Sequence, residues 1–420
     1  MKKDNIIDEL RWRGLVDSHS NDIETFLEKK VTAYIGFDPT SDSLHIGSLV
    51  PIILLKHLEN YDHNPIVLIG GSTGMIGDPS GKSSERNLLD NETLVKNSES
   101  ITSIISKFLN PQTTTFVNNY DWMKNISFID FVRDVGKKIP VNYMLSKESV
   151  KRRIETDGEG MSFTEFTYQL FQAYDFLHLN EKFGCTLQMG GSDQWGNMTT
   201  GLELIRKTNG NECKILTTPL VKKSDGTKFG KTENGNIWLT EEKTSVYDFY
   251  QFWLNTSDED AEKYIKIFTF LDESEVNDII NEHNIDRSRK HLQRMLADNI
   301  TTFVHGDELL SDIKDVSELL FGKNNTIETL KIVNVSVLSD VLKNNSFDLV
   351  LEDEVSIVDL LVNSKFIESK TSARRFLKEN AISLNMKKIK EDYLVTEKDV
   401  INGIILLQRG KKTFKLIKTS

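Results

Sequence analysis

The sequence predicts a doubly wound α/β domain over residues 1–220 with an all-helical domain behind it. Two observations carry the first expectation and one carries the second. Five short β-branched runs recur in the first half: Thr32–Phe37, Pro65–Gly70, Thr114–Asn118, Cys185–Met189 and Lys214–Thr218. Segments with helical spacing separate them, and strand alternating with helix is the sign of a parallel sheet covered on both faces. All five runs also end in glycine, polar and charged residues, the side on which open parallel sheets bind ligands. Further along, Val246, Phe249, Tyr250 and Trp253 fall at i, i+3, i+4, i+7, and Ala261, Tyr264, Ile265 and Phe268 repeat the spacing. Amphipathic helices packed on one another are therefore expected over 241–321.

The remaining segments follow in order. The stretch 119–183 is long for one crossover and is expected to carry inserted helices. Residues 221–240 read as a glycine-studded loop. Asn pairs at 324–325 and 344–345 and an acidic end mark 322–354 as a linker region. From Val355 to Ser420 there are 14 Lys and Arg against 7 Asp and Glu, a net of +7, in a chain whose overall charge is −11. A basic module on an acidic body is what a polyanion-binding tail looks like, and equally what a solvated basic surface looks like. The 38% of hydrophobic residues and only 7 prolines allow sizeable cores and give no sign of general disorder. No apolar run approaches the roughly 18 residues of a spanning helix, and the lysines of MKKDNIIDELRWRG have no apolar core behind them, so neither membrane insertion nor secretion is expected. Cys185 and Cys213 are too few for a disulfide framework or a Cys-based metal cluster and read as reduced thiols of a cytoplasmic protein.

The strand ends hold the chemistry. They read GFDPTSDSLHIGS (36–48), GGSTGMIGDPSGKSS (70–84), NNYDW, QMGGSDQWGN (188–197) and PLVKKSDGTKFGKT (219–232). Any one could be a turn, but five together predict one large polar site of nucleotide-like dimensions. Gly81-Lys82-Ser83 ends like a P-loop, yet the leading glycine would have to stand at Ile76, which excludes that motif. No GxGxxG follows the first strand, which disfavours NAD chemistry. Asp38-Pro39-Thr40 turns the chain and Leu44-His45-Ile46-Gly47 opens a helix, where free N–H groups suit an anion. Lys228-Phe229-Gly230-Lys231-Thr232 could close two lysines over a triphosphate or form a basic surface hairpin.

These segments carry a resemblance. PTSDSLHIGS followed much later by KFGKT resembles the HIGH and KMSKS signatures of class I aminoacyl-tRNA synthetases. TAYIGFDPT, GDPSGKSSER, FTEFTYQLFQAYDF (163–176) and QMGGSDQWGN are similar to segments of the bacterial tyrosyl-tRNA synthetases in particular, and SKTSARRFLKENAISLNMKKI near the C-terminus resembles an S4-type RNA-binding module. Ser48 stands where the first signature ends in His, and KFGKT stands for KMSKS. The resemblance implies a Rossmann-like catalytic domain (1–220), a KMSKS-type loop region (221–240), a helical anticodon-arm domain (241–321) and a small α+β S4-like domain (355–420). The activity implied is activation of L-tyrosine by ATP and transfer of the tyrosyl group to tRNA(Tyr), by a homodimer whose interface lies after the third strand. Magnesium is implied with the ATP, on phosphate oxygens and water, with no metal site among the side chains.

By the same resemblance, Thr40 and His45 face the phosphates, Lys228, Lys231 and Thr232 close on them, and Lys82 and Arg86 assist. Asp193 contacts the ribose, Asp38 belongs to the ATP site, and Gly36, Gly47 and Gly191 let backbone approach the nucleotide. Tyr34 and Asp175 form the pair that hydrogen-bonds the substrate phenol. Asp78, Tyr168 and Gln172 surround the α-amino group and Gln194 the carboxylate. Tyr168, Gln172 and Asp175 span i, i+4, i+7, one helix face. Lys370, Arg374, Arg375, Lys378, Lys387 and Lys388 are the implied RNA contacts. A tryptophanyl relative and a non-catalytic RNA-binding homologue are the rival readings. Tyr34 with Asp175 and the S4-like tail speak against the first, and the presence of His45, Lys228 and Lys231 against the second.

Overall fold

A six-stranded sheet organises the first half of the chain. In the computed structural model the described residues are 5–80, 89–155, 161–227, 229–232, 235–322, 326–342, 345–350, 354–410 and 413–419, with the side chains at 149, 152, 153, 155 and 232 left aside. They fall into two units, Met1–Thr244 with Phe252–Ile300 and Ser245–Gln251 with Thr301–Ser420. The strands of the first unit are β1 (Ser18–His19), β2 (Thr32–Phe37), β3 (Asn64–Ile69), β4 (Thr115–Asn118), β5 (Leu187–Gly191) and β6 (Lys214–Thr218). Their spatial order is β1-β6-β5-β2-β3-β4, parallel throughout except for β1. The chain winds from β2 outward to β4 on one side and through β5 and β6 on the other. The reversal between β2 and β5 leaves a crevice beyond their carboxyl ends, the place where open sheets of this kind hold ligands.

The sequence placed five of these strands to within two residues. The fourth run starts two residues later than expected, because Cys185 and Thr186 precede the pairing of Leu187 with Lys214. The two-residue edge strand β1 has no alternation to reveal it. The crossover between β4 and β5 carries the expected helices, at Tyr120–Met123, Phe128–Asp134, Val141–Leu145, Glu148–Glu155 and Phe163–Phe183. The last of these has a clear local cause. Ser162 and Glu165 form a reciprocal capping box at its start, and Gly184, at φ 62°, ends it in the left-handed region. Its Ala173, Phe176, Leu177 and Leu179 join Leu204 and Ile205 of the helix Trp195–Thr208 and Tyr34, Ile66 and Ile215 of the sheet in one apolar core.

Helix Asp258–Phe268 follows, capped by Ser257 and acidic in its first turn. The buried Arg13, paired with Glu9 at 2.7 Å, donates to the carbonyls of Lys266, Thr269 and Leu271 at 2.7–2.8 Å. It thereby satisfies groups that a helix C-terminus leaves open. The expected helices of 241–321 are present, but they are shared between the two units, the divisions falling after Thr244, Gln251 and Ile300.

In the second unit a five-stranded sheet runs in the order Lys387–Lys388, Ile382–Leu384, Ile404–Arg409, Thr413–Thr419, Ser346–Leu349, the last pair parallel. Helices Ile357–Asn363 and Lys370–Lys378 share one core with it. Leu330, Leu338 and Leu342 share a second with Val316, Ile404, Leu406 and Phe414. The region 322–354, expected as a linker, is thus corrected: its described residues supply two short helices and a sheet strand. Widely spaced leucines, not composition, decide this.

Candidate active site

A cavity of about 930 Å3 opens at the β2/β5 reversal. At its buried end, Tyr34 from β2 is 1% exposed and its hydroxyl has no hydrogen-bond partner among the described residues. Burial, and after it the charge of Asp175, pushes the Tyr34 phenol pKa up. Asp175, equally buried, accepts from Trp122 Nε1 on one oxygen and from Asn119 Nδ2 on the other, each at 2.9 Å. Burial pushes its carboxyl up to about 7 against the pull of those two donors. The arrangement offers one hydroxyl donor and one carboxylate acceptor in an apolar surround.

Next along the cavity are the carboxylates of Asp38 and Asp78. Tyr168 donates to Asp38 at 3.1 Å and Thr73 to the other oxygen of Asp38 at 2.8 Å. Asp78 accepts from Gln194 Nε2 at 2.7 Å and from the Ser80 amide at 2.9 Å. Asn197 donates to Gln172 at 3.0 Å and lies 3.4 Å from the Gln194 amide oxygen. Helix Phe163–Phe183 presents Tyr168, Gln172 and Asp175 to the cavity together, as their spacing predicts.

At the open end, His45 sits at the N-cap of a 3-10 turn, Ile46–Ser48, that runs into helix Leu49–Asn60. Its Nδ1 accepts from the Gly47 amide at 3.0 Å. A Cβ on Gly47 would stand 2.6 Å from His45 Cε1, so glycine is what lets the ring fold over the turn. Burial and then the charge of Lys231 lower the His45 pKa. Gly36 at the end of β2 is exposed, with open space where a Cβ would project. Thr40, Gly191 and Asp193 line the same cavity, and burial, then the charge of Asp78, pushes the Asp193 carboxyl up. Lys231 is exposed in the short strand Lys231–Thr232.

Of the expected site residues, Lys82, Arg86 and Lys228 lie outside the described residues, as does the side chain of Thr232. Lys370, Arg374, Arg375 and Lys378 share one helix in the second unit, and Lys387 and Lys388 an exposed edge strand. Acidic neighbours face them: Lys370 pairs with Asp359 at 2.6 Å and Arg374 with Glu391 at 3.1 Å. Sequence reasoning missed Thr73, Asn119, Trp122 and Asn197, and also Gln188, whose buried Oε1 lacks a partner among the described residues. All five lie in or next to the strand-end segments, but an Asn or Thr in a loop is too common to single out. Among the described residues no group of three or more His, Cys, Asp or Glu is placed to hold a metal.

Sequence and fold together match one class. A family model described as class I tRNA synthetases (W and Y) covers residues 27–322, and one for the tyrosine–tRNA ligase C-terminal domain covers 340–417. A C-terminally truncated mitochondrial tyrosyl-tRNA synthetase of Aspergillus nidulans superposes with a TM-score of 0.68 at 30% identity, over 76% of this chain and 95% of that one. An Archaeoglobus fulgidus tyrosyl-tRNA synthetase shares the fold at 15% identity, with a TM-score of 0.56 over 72% and 98% of the two chains. Among curated sequences, the tyrosine–tRNA ligase of Flavobacterium psychrophilum is 54% identical over 98% of both chains, and that of Bacteroides fragilis 51% over 98% of this chain and 99% of its own. The chain belongs to the tyrosine–tRNA ligase family of class I aminoacyl-tRNA synthetases.

Proposed function

We propose that this chain activates L-tyrosine with ATP, giving tyrosyl-adenylate and pyrophosphate, and then esterifies the terminal adenosine of tRNA(Tyr). The observation that carries the reading is the buried hydroxyl of Tyr34, unpartnered among the described residues, beside Asp175. A substrate phenol would donate to the carboxylate and accept from the Tyr34 hydroxyl, whereas phenylalanine would leave both buried groups unpaired. Asp78, Tyr168 and Gln172 would hold the ammonium group, for which the acidic middle of the cavity is suited, and Gln194 the carboxylate.

Activation is attack of the tyrosine carboxylate oxygen on the α-phosphorus of ATP, with the bond to pyrophosphate breaking. No covalent bond to the protein is needed, so rate comes from alignment and from charge placed on the phosphates. Gly36, Gly47 and Gly191 would let backbone approach the nucleotide, Asp38 would order the turn beneath it, and Asp193 would take the ribose. Thr40 and His45 would face the phosphates from one side, and Lys228, Lys231 and Thr232 from the other, with Lys82 and Arg86 assisting. A His45 kept neutral by burial and by Lys231 can donate a hydrogen bond without competing with that lysine for charge. Magnesium is assigned to the ATP itself and to no step.

We assign RNA binding to the S4-like region through Lys370, Arg374, Arg375, Lys378, Lys387 and Lys388. A homodimer in the cytoplasm is also proposed. Phe128, Val132, Val141 and Phe163 are exposed around a hollow of about 650 Å3 after β4, an apolar face that a second copy would cover. No helix among the described residues is long and apolar enough to cross a membrane. Sedimentation of the native chain at twice the monomer mass is expected, and a monomer at micromolar concentration would remove the dimer. Pyrophosphate exchange with each of the twenty amino acids tests the activity. Exchange with tyrosine alone is expected; exchange with tryptophan, or with none while tRNA still binds, would favour a rival.

A further inference from the structure

We propose that Phe229 and Asp260 are positioning residues for Lys231, acting through the backbone of the loop that carries it. The inference rests on the activation chemistry proposed above and adds the means by which the lysine is held. A glycine-studded loop has no internal packing to fix a long side chain, and ordering such a chain during the reaction would add its entropy to the barrier. Something outside the loop has to hold it.

Phe229 supplies one fixed point. Its ring stacks on Phe268 at 5.2 Å with planes 17° apart, and meets Tyr264 edge-on at 5.1 Å and Trp253 at 5.9 Å. Trp253, Tyr264 and Phe268 are at most 1% exposed, so this is a socket in the first unit's core, filled from the loop. Asp260 supplies the other. Buried in the first turn of helix Asp258–Phe268, it accepts the Ser224 amide at 2.9 Å. Lys263 and Tyr264, one turn on, donate to the Lys222 carbonyl at 3.3 and 3.4 Å. Between the two points the chain closes a turn, with Asp225 accepting from the Thr227 amide at 2.8 Å and Thr227 O accepting from the Lys223 amide at 3.2 Å.

Past Phe229 the chain has little freedom before Lys231. Gly230 adopts φ 81°, its carbonyl accepts from Ile237 at 3.1 Å, and a Cβ there would press on Ile46 at 3.1 Å. The Ile237 carbonyl in turn accepts the Ile46 amide at 2.9 Å. Loop and His45 turn are therefore one hydrogen-bonded assembly, and Lys231 is two residues from its aromatic pin.

A double-mutant cycle separates positioning from mere packing. Phe229→Ala and Asp260→Ala are each made in the native chain and in Lys231→Ala, and single-turnover adenylate formation and equilibrium tyrosine binding are measured. If the pin acts through the lysine, each change slows adenylate formation about ten-fold or more in the native chain and less than about two-fold where Lys231 is already gone. Tyrosine affinity stays within about two-fold, and Phe229→Met and Asp260→Asn recover most of the rate. Equal loss factors in both backgrounds, or tyrosine affinity falling along with rate, would overturn the inference while leaving the function standing. A Lys231→Ala chain with native rate would instead remove the assignment of Lys231, and the inference with it. Should Phe229→Ala not fold, the Asp260→Ala and Asp260→Asn pair carries the same cycle.

Discussion

Asp175 is a carboxyl for which burial and hydrogen bonding pull in opposite directions, and burial prevails, leaving its pKa at about 7. A substrate phenol that donates to it, as proposed, needs the ionised form, so protons would compete with tyrosine at this residue. The sign follows: affinity is level well above about pH 7 and falls as pH drops below it, by up to about ten-fold per unit. Tyrosine dissociation constants between about pH 5.5 and pH 8 test this, and a flat profile would remove Asp175 as the acceptor. Tyr34 takes the complementary part. Tyr34→Phe is expected to narrow the preference for tyrosine over phenylalanine about five-fold, the worth of a hydrogen bond of about 1 kcal/mol. The ratio of activation efficiencies for the two amino acids decides. An unchanged ratio would make Tyr34 a packing residue. Both residues were singled out through the resemblance. Their supports, Asn119 and Trp122, were not, because their role depends on the contact across the chain with Asp175.

The helix Phe163–Phe183 carries Tyr168, Gln172 and Asp175, three residues of the proposed amino-acid pocket, into the cavity. The spacing of those three residues suggested a helix face, whereas the Ser162/Glu165 capping box that starts it is seen in the structure. Ser162→Ala removes the side-chain acceptor for the Glu165 amide at 3.2 Å. It should lower stability by about 1 kcal/mol, a Tm loss of a few degrees, with tyrosine affinity changed little because the cap lies at the far end from Asp175. Thermal melts of the two proteins read this directly, and an unchanged Tm would mean the cap contributes nothing. The region 322–354 shows the opposite case. Its leucines read as linker residues until a distant strand, Thr413–Thr419, pairs with Ser346–Leu349 and the sheet covers them.

Across the whole molecule, charge is divided between an acidic body and a basic C-terminal region. Truncation near residue 354 would be a poor test of that region, because it would strip Ser346–Leu349 of its partner strand and expose Leu330 and Leu338. Charge removal without cutting is cleaner. Arg374→Gln, Arg375→Gln and Lys378→Gln together should weaken tRNA binding and make its logarithmic dependence on salt shallower by about two, while tyrosyl-adenylate formation stays native. The slope change should fall short of three full contacts, because Glu391 pairs with Arg374 and approaches Lys378 at 3.9 Å. Binding across a salt series with an unchanged slope would make the helix a solvated basic face.

The sequence by itself determined the parallel sheet, the polar strand ends and the family. These rest on periodicity and on motifs contiguous in the chain, so neighbouring residues suffice to reveal them. Only the tertiary structure decided that Asn119 and Trp122 donate to Asp175, Thr73 to Asp38 and Asn197 to Gln172, and that Phe229 of the loop is seated in the socket of Trp253, Tyr264 and Phe268. It alone turned the supposed linker into part of a sheet domain. A hydrogen bond or a ring stack between residues 25 to 250 positions apart leaves no trace in local spacing. It exists because the fold removes water from both partners at one place.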